Sequence, residues 1–370
     1  MSSGSRSPDC ARQNRATSLP RFEVCETRDK RNIPRAKKGT MRLRRIGNSD
    51  LQASVIGFGT WALAGDFTWG VQDASAADAA LKTAYELGVN FFDTAEIYGD
   101  GRSEEILGKA LGHVRHRIII ATKARSDHLA PEALRKACEG SLRRLGTDYI
   151  DLYQLHWPRR DGSVAETIEA LERLRNEGKI RWYGLSNFGP LDLDDFLAAG
   201  GHPVSNQLAY SLLFRAVEYE ILPKCRKAGL SIIPYSPLME GLLTGKFGNA
   251  DSVPPQRART RHFAASRPHT RHGEPGAEKE TFETISAIRR ISQRLGMPMN
   301  QLALAWLLSC GAVATVIAGA RNPEQVRGNA AAQEIQLAPE IVRELSDATE
   351  PLKQKLGPNA DMWQSDSRIR

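Results

Sequence analysis

No apolar stretch in this 370-residue chain approaches the ~20 residues that span a bilayer, so no membrane span is expected. Cysteine is scarce. Cys10, Cys25, Cys138, Cys225 and Cys310 are odd in number and scattered, with no CxxC pair. That argues against a disulfide framework and for free thiols in a reducing, cytoplasmic setting. Positive charge is missing where a nucleic-acid site would need it. The formal net charge is +8, yet residues 1–40 hold ten Lys/Arg against four Asp/Glu and so carry most of that excess. The remainder is close to neutral, which excludes a basic nucleic-acid face. The head itself has no hydrophobic period and is rich in Ser, Arg and Asn, the composition of a disordered basic extension. An organellar targeting segment would usually be poorer in acids, and a start at Met41 is a third reading.

What is present is an ordinary globular composition, 41% apolar and 25% charged. From Leu51 onward, strand and helix patterns alternate. Strand-like runs occupy residues 55–59, 89–93, 117–123, 149–156, 180–186, 204–207, 230–235 and 313–318. Helical patterns between them include 74–87, 103–111, 131–145 with Pro131 at its start, and 164–177 ending at Gly178. Eight strand–helix units imply a parallel sheet, and with about 250 core residues an α/β protein of the (β/α)8 TIM-barrel type. Leu43–Ile46 and Leu51–Ala53 around Gly47-Asn48 read as a β-hairpin capping the barrel's N-terminal mouth, and 339–349 as an additional C-terminal helix. The barrel is expected over residues 41–350, with 351–370 as a C-terminal tail.

Gly57-Phe-Gly59-Thr-Trp-Ala62 imitates a dinucleotide fingerprint, but no helix opens inside it, so a Rossmann unit is disfavoured. Instead, glycine lets this strand end, at Gly59, Thr60 and Trp61, come close to a ligand. The longest interruption, Gly248–Glu278, is rich in Pro and carries Arg257, Arg259, Arg261, Arg267 and Arg271 with His262, His269 and His272. A solvated mobile loop is the plain expectation and a lid over an anionic ligand the rival. Zinc at these histidines is disfavoured, because no cysteine or carboxylate pattern accompanies them, and no metal is expected.

Three strand-like runs finish on, or just before, chemistry-bearing residues. Val89-Asn-Phe-Phe-Asp93 is followed five residues later by Tyr98, Arg117–Lys123 ends on a lysine, and Tyr149–His156 on a histidine. Titratable groups at one end of successive barrel strands build a catalytic centre. In type, order and spacing, Asp93, Tyr98, Lys123 and His156 resemble the catalytic tetrad of the aldo-keto reductase superfamily. Gly184-Leu-Ser-Asn-Phe188, Asn206-Gln207, Tyr235-Ser-Pro-Leu238 with Leu242-Leu-Thr-Gly-Lys246, and Gly319-Ala-Arg321 resemble its cofactor-binding segments in the same order. The resemblance runs from Met41 to the helix near Thr349.

The resemblance implies an NADP(H)-dependent oxidoreductase that reduces an aldehyde or ketone, with NADPH/NADP+ as cofactor and NADH the lesser choice. Tyr98 would donate the proton, helped by a nearby Lys123 ammonium that lowers its pKa. Asp93 would hold Lys123 charged, and His156 would orient the carbonyl. Ser186, Asn187 and Gln207 would bind the nicotinamide carboxamide, and Tyr235 would stack on the ring. Ser236, Leu238 and Leu242 would line the pyrophosphate path. Gly319 and Arg321 would meet the 2′-phosphate, a planar fork suiting it, and Gln325 and Asn329 the adenine end. Gly328 departs from the Glu that relatives commonly carry there. Trp61, Trp69 and Trp157, with Phe67, suggest an apolar pocket for a small carbonyl substrate, with Arg125 and the basic loop as the nearest substitutes for an anion clamp. A regulatory subunit resembling channel-associated β subunits is the alternative, and a homo-oligomer is compatible with either. A phosphate-binding barrel isomerase or lyase leaves Ser186, Asn187, Gln207 and Tyr235 unexplained.

Overall fold

A computed structural model describes Met1 and residues 41–370; the expectation for the basic head falls on residues 2–40 and lies outside the described residues. Two short strands, β1 (Leu43–Arg45) and β2 (Gln52–Ser54), pair antiparallel. Eight parallel strands follow: β3 (Ile56–Gly59), β4 (Phe91–Asp93), β5 (Ile119–Ala124), β6 (Ile150–Leu155), β7 (Ile180–Ser186), β8 (Ser205–Ala209), β9 (Ser231–Tyr235) and β10 (Val316–Gly319). They are hydrogen-bonded in the order β10-β3-β4-β5-β6-β7-β8-β9. Ile232 N–H donates to Ala312 O at 2.8 Å, and Ala314 N–H to Ile232 O at 3.1 Å. These bonds bring the two edges together into a nearly closed (β/α)8 barrel.

The helices are α1 (Ala74–Glu86), α2 (Arg102–Leu111), α3 (Pro131–Leu145), α4 (Val164–Asn176), α5 (Pro190–Ala198), α6 (Ile221–Lys227), α7 (Glu278–Leu295), α8 (Met299–Ser309), α9 (Pro323–Ala330) and α10 (Pro339–Leu356). Their ends follow local chemistry. Asp73 accepts the Ala76 N–H to start α1, Pro131 opens α3, and Gly146, at φ +64°, ends it in the left-handed conformation that glycine adopts without cost. On α3, Leu134, Ala137, Cys138, Ser141 and Leu145 are buried, the 3–4 spacing of one helical face.

Strand periodicity separates the barrel's interior from its helix-facing side. Phe91, Ile119, Ala121, Leu152, Ile233, Ala314 and Ile317 pack together inside it. Phe92, Ile120, Tyr153 and Leu155 face outward into the helix layer. Ile46 and Leu51 of the hairpin join the interior cluster. Arg44 donates to the carbonyls of Val313 and Leu308, each at 2.7 Å, and Gly47 N–H to Ser231 Oγ at 2.8 Å. The hairpin therefore plugs the end at which the strands begin.

Three regions differ from the sequence reading. Both α7 and α8 lie between β9 and β10, one helix more than a single strand–helix unit uses. The last helix runs on to Leu356 through Pro351, because Leu345, Leu352 and Leu356 continue its buried stripe. Residues after it pack on the core, with Asp361 and Met362 fully buried. The arginine-rich segment before α7 is not a solvated loop. Phe263 is buried, Arg261 is paired with Glu274 and donates to the carbonyls of Leu356 and Asn359, and Arg267 is paired with Glu278 and Asp251.

Candidate active site

Interior positions recur every second residue along a strand, and counting upward from the apolar plug leads to the polar groups. Phe91 leads to Asp93; Ile119 and Ala121 to Lys123; Leu152 to Gln154 and His156; Ile233 to Tyr235. Register sets Asp93 beside Ala121, Lys123 beside Gln154 and Ser186 beside Gln207. The charged layer thus sits directly on the hydrophobic one, at the C-terminal end of the strands.

Lys123 is fully buried and Asp93 3% exposed. The ammonium donates to Asp93 Oδ1 at 2.5 Å, to Thr94 O at 2.8 Å and to the Tyr98 hydroxyl at 3.4 Å. Gln207 and Gln154 both donate to Asp93 Oδ2, at 2.8 and 3.2 Å. Burial pulls the Lys123 pKa down while Asp93 pushes it back up. Tyr98 moves opposite to the sequence expectation. Burial, then Asp93, then Asp66 raise its pKa well above the ordinary phenol value. Tyr98 is thus a neutral, proton-holding acid at physiological pH. Burial, Lys123 and Arg368 push the His156 pKa well below its usual value. A neutral imidazole results, with one ring N–H to donate. Its ring meets Tyr98 edge-on, centroids 5.8 Å apart.

The other expected positions fall around this centre. Asn187, in the left-handed region at φ +62°, donates to Ser186 Oγ and His156 O and accepts the Tyr235 hydroxyl at 3.0 Å. Thr60 donates to Asp93 O, and Gly59 pairs with Asp93 in register. A short helical turn, Trp61–Leu63, follows β3 and no full helix opens before α1, as the dismissal of a Rossmann unit requires. Trp61 stacks on Tyr98 with centroids 6.0 Å apart and meets Trp69 edge-on at 5.5 Å, giving the mouth an aromatic wall. Trp157 lies beneath the Arg368 guanidinium, 3.7 Å from its ring centroid. Arg125 is spent on Asp127 and is no free anion clamp.

Arg321 is committed to the first loop. It donates through Nε to Gln72 Oε1 at 2.6 Å and through a terminal nitrogen to Trp69 O at 2.9 Å, and also reaches Val71 O. Three of its five N–H groups are used there and two remain. Gln325 accepts the Arg321 backbone N–H, and Asn329 donates to Gly319 O. Ser236 (φ +48°), Met239 (+44°), Glu240 (+50°) and Gly241 (+99°) make a turn of left-handed residues around Leu238 and Leu242. For the non-glycines such backbone costs about 1–3 kcal/mol each, and it clusters where ligands are held. Nearby, the Trp69 indole N–H and the Nε groups of Arg257 and Arg259 are buried without a partner. Orphan buried donors beside such a turn fit the anionic diphosphate of a dinucleotide.

Sequence reasoning missed Gln154, Thr94, Asp66, Glu240, Trp363 and Arg368. Only Gln154 left a usable signal, two residues above the interior Leu152 on the same strand. Of the loop histidines, His262 bonds Leu213 O and Thr260, His272 bonds Thr260 O, and His269 meets Phe67 edge-on.

Residues 55–350 match the model of the "Aldo/keto reductase family". The chain belongs to the aldo/keto reductase family. It is 34% identical over 340 residues to an NADH-specific methylglyoxal reductase of Escherichia coli K12, covering 82% of this chain and 98% of that one. It is 30% identical to a probable voltage-gated potassium channel subunit beta of Oryza sativa subsp. japonica, covering 82% and 94%. An aldo-keto reductase of Klebsiella pneumoniae solved with NADPH superposes with a TM-score of 0.66 at 31% identity, covering 86% and 95%. The assignment places the chain in an oxidoreductase family that acts on small carbonyl substrates. Among the described residues no helix is long and apolar enough to cross a membrane.

Proposed function

We propose that this chain reduces small aldehydes and ketones to alcohols, reversibly, with NADPH preferred over NADH. The reading is carried by one observation: a buried Lys123–Asp93 pair with the Tyr98 hydroxyl on the lysine, at the mouth of the barrel. A nicotinamide dinucleotide held by these residues would supply the hydride for the carbonyl carbon. Tyr98 holds a proton at neutral pH and donates it to the carbonyl oxygen as negative charge develops there, since an alkoxide is more basic than a phenolate. Lys123 lies where its charge opposes the cost of leaving a phenolate behind, and Asp93, fixed by Gln154 and Gln207, keeps the ammonium aimed. Neutral His156 donates one hydrogen bond to the same oxygen and orients it. Ser186, Asn187 and Gln207 supply the amide-binding groups, and Tyr235 the stacking face. The preference for NADPH rests on Arg321, whose two unused N–H groups at the end of β10 favour an additional phosphate. Three buried free thiols, Cys138, Cys225 and Cys310, suit a cytoplasmic location.

The test is loss of NADPH and NADH absorbance against a panel of aldehydes and ketones. Methylglyoxal heads the panel because the E. coli relative is named for it, and NADH runs in parallel for the same reason. Turnover faster with NADPH supports the reading. Dinucleotide binding without turnover on any carbonyl would favour the second reading, a regulatory subunit, to which the likeness to the rice channel subunit points.

A further inference from the structure

Glu240 has no role in the chemistry above, yet it is the least satisfied charged group of the catalytic end. It lies in the left-handed turn after β9 and is 6% exposed, and neither carboxyl oxygen has a hydrogen-bond partner among the described residues. Arg257 and Arg259 face it from the long segment before α7, and Asp66 from the loop after β3. Lys246 belongs to its own turn; its Nζ lies 3.0 Å from where a Cβ on Gly241 would stand. Arg321 faces Arg257 from the end of β10. Arg257 lies over the Trp69 ring at 4.9 Å and Arg259 over Trp363 at 5.0 Å. Orphan acceptors and orphan donors thus share one buried corner, each facing the other without contact.

The donors call for an anion, which an ionised Glu240 would repel. A protonated carboxyl removes the conflict, because its O–H can donate to a phosphate oxygen. We propose that Glu240 couples dinucleotide binding to a proton: it is protonated when the diphosphate is bound and can ionise when the site is free, so affinity falls as the solution becomes alkaline. The proposal rests on the reading that this end of the barrel binds a nicotinamide dinucleotide.

Direction follows from like-charge repulsion. Burial, opposed by Arg259 and Arg257 and aided by Asp66, raises the Glu240 pKa to about 8. A diphosphate alongside pushes it higher still. Between the free and bound values, binding takes up a proton, and affinity drops by up to about tenfold per pH unit. Lys246, whose pKa burial lowers, contributes a slope of the same sign, so a variant must separate the two.

The experiment is fluorescence titration of NADH and NADPH at fixed ionic strength from about pH 6.5 to about pH 9.5, on wild type and Glu240→Gln. The wild type should weaken at least about tenfold across the alkaline half of that range. Glu240→Gln should lose most of that slope and keep the affinity the wild type shows at its acid end. Calorimetry in two buffers of different ionisation enthalpy, on wild type and on Lys246→Arg, should register proton uptake near pH 8.5 in both, which assigns the uptake to Glu240 and not to Lys246 even if Glu240→Gln fails to fold. A pH-independent wild-type affinity, a full slope retained in Glu240→Gln, or no proton uptake would overturn the proposal while leaving the oxidoreductase reading standing. A wild type that binds neither dinucleotide at any pH would remove both.

Discussion

Two ion pairs at opposite ends of the same barrel could hardly be less alike. At the plugged end, Asp50 meets Arg181 at 2.8 Å with side chains 65% and 41% exposed. At the open end, Asp93 meets Lys123 at 2.5 Å with side chains 4% and 0% exposed. The first stands in water and ties the hairpin to the start of β7. The second stands on a hydrophobic layer, where taking two ions out of water costs several kcal/mol apiece and their attraction only partly offsets that cost. The fold does not need it, since the layer beneath it, Phe91, Ile119, Leu152 and Ile233, already fills the barrel. On the proposed reading the buried pair serves chemistry and the exposed one does not, and the contrast can be broken at either end.

The largest effect is expected at the acid. Tyr98→Phe removes the proton donor and keeps the ring against Trp61, so turnover should fall by about 10²–10⁴ while dinucleotide affinity stays near wild type. Near-normal turnover in a stopped assay would end the assignment. Next comes the pair itself. Asp93→Asn leaves the Lys123 charge buried with its carboxylate gone, a change that costs about 3–5 kcal/mol in comparable sites. Replacing both groups, Lys123→Met with Asp93→Leu, should recover most of that loss in a urea melt and yet leave no turnover. If the double variant were as unstable as the single one, the pair would be structural after all.

Smaller, but sharper about cofactor choice, is Arg321→Ala. A charge-assisted contact is worth about 1.5–3 kcal/mol, so NADPH binding should weaken about 10- to 100-fold. The clamp on Trp69 O and Gln72 means that NADH should weaken too, by less. Equal losses would assign Arg321 to the loop alone.

The open end was largely legible in the sequence and the plug partly so, for one reason. A run of branched apolar residues that stops on Asp93, Lys123 or His156 reports both the strand and the end at which chemistry sits, because side-chain period and parallel direction are local properties. Gln154 escaped notice because it sits within an apolar run, though the same period locates it beside Lys123. Glu240, Trp363 and Arg368 reach the site by tertiary routes that no local pattern encodes. The arginine-rich segment misled for a related reason. Its composition reads as solvated, but its partners, Glu274, Glu278 and the carbonyls of Leu356 and Asn359, become visible only once the chain has closed on itself. The end of α10 misled through Pro351, whose local cost is outweighed by the buried stripe that continues to Leu356.

The smallest effect is expected at the plugged end. Asp50→Asn removes the charge facing Arg181 and keeps an oxygen able to accept the Trp182 indole N–H, which Asp50 now takes at 2.7 Å. Arg181 retains Asp151, at 2.7 Å, and Asp151 is itself buried, so the guanidinium loses its weaker partner and not its stronger one. Exposed pairs of this kind contribute about 0.2–1 kcal/mol. The pKa of Asp50 is lowered, first by the Trp182 hydrogen bond, against burial, and then by Arg181. Ionised Asp50 therefore favours the folded state above the ordinary carboxylate range, and its contribution fades as pH falls through its folded pKa. The variant should accordingly differ from wild type by less than about 1 kcal/mol in a urea melt at neutral pH, with the difference shrinking in acid and in high salt. Its turnover should be unchanged, since the hydrophobic layer separates it from Asp93 and Lys123. A loss of several kcal/mol would show that the plug depends on this charge and that the two ends are less different than their exposures imply.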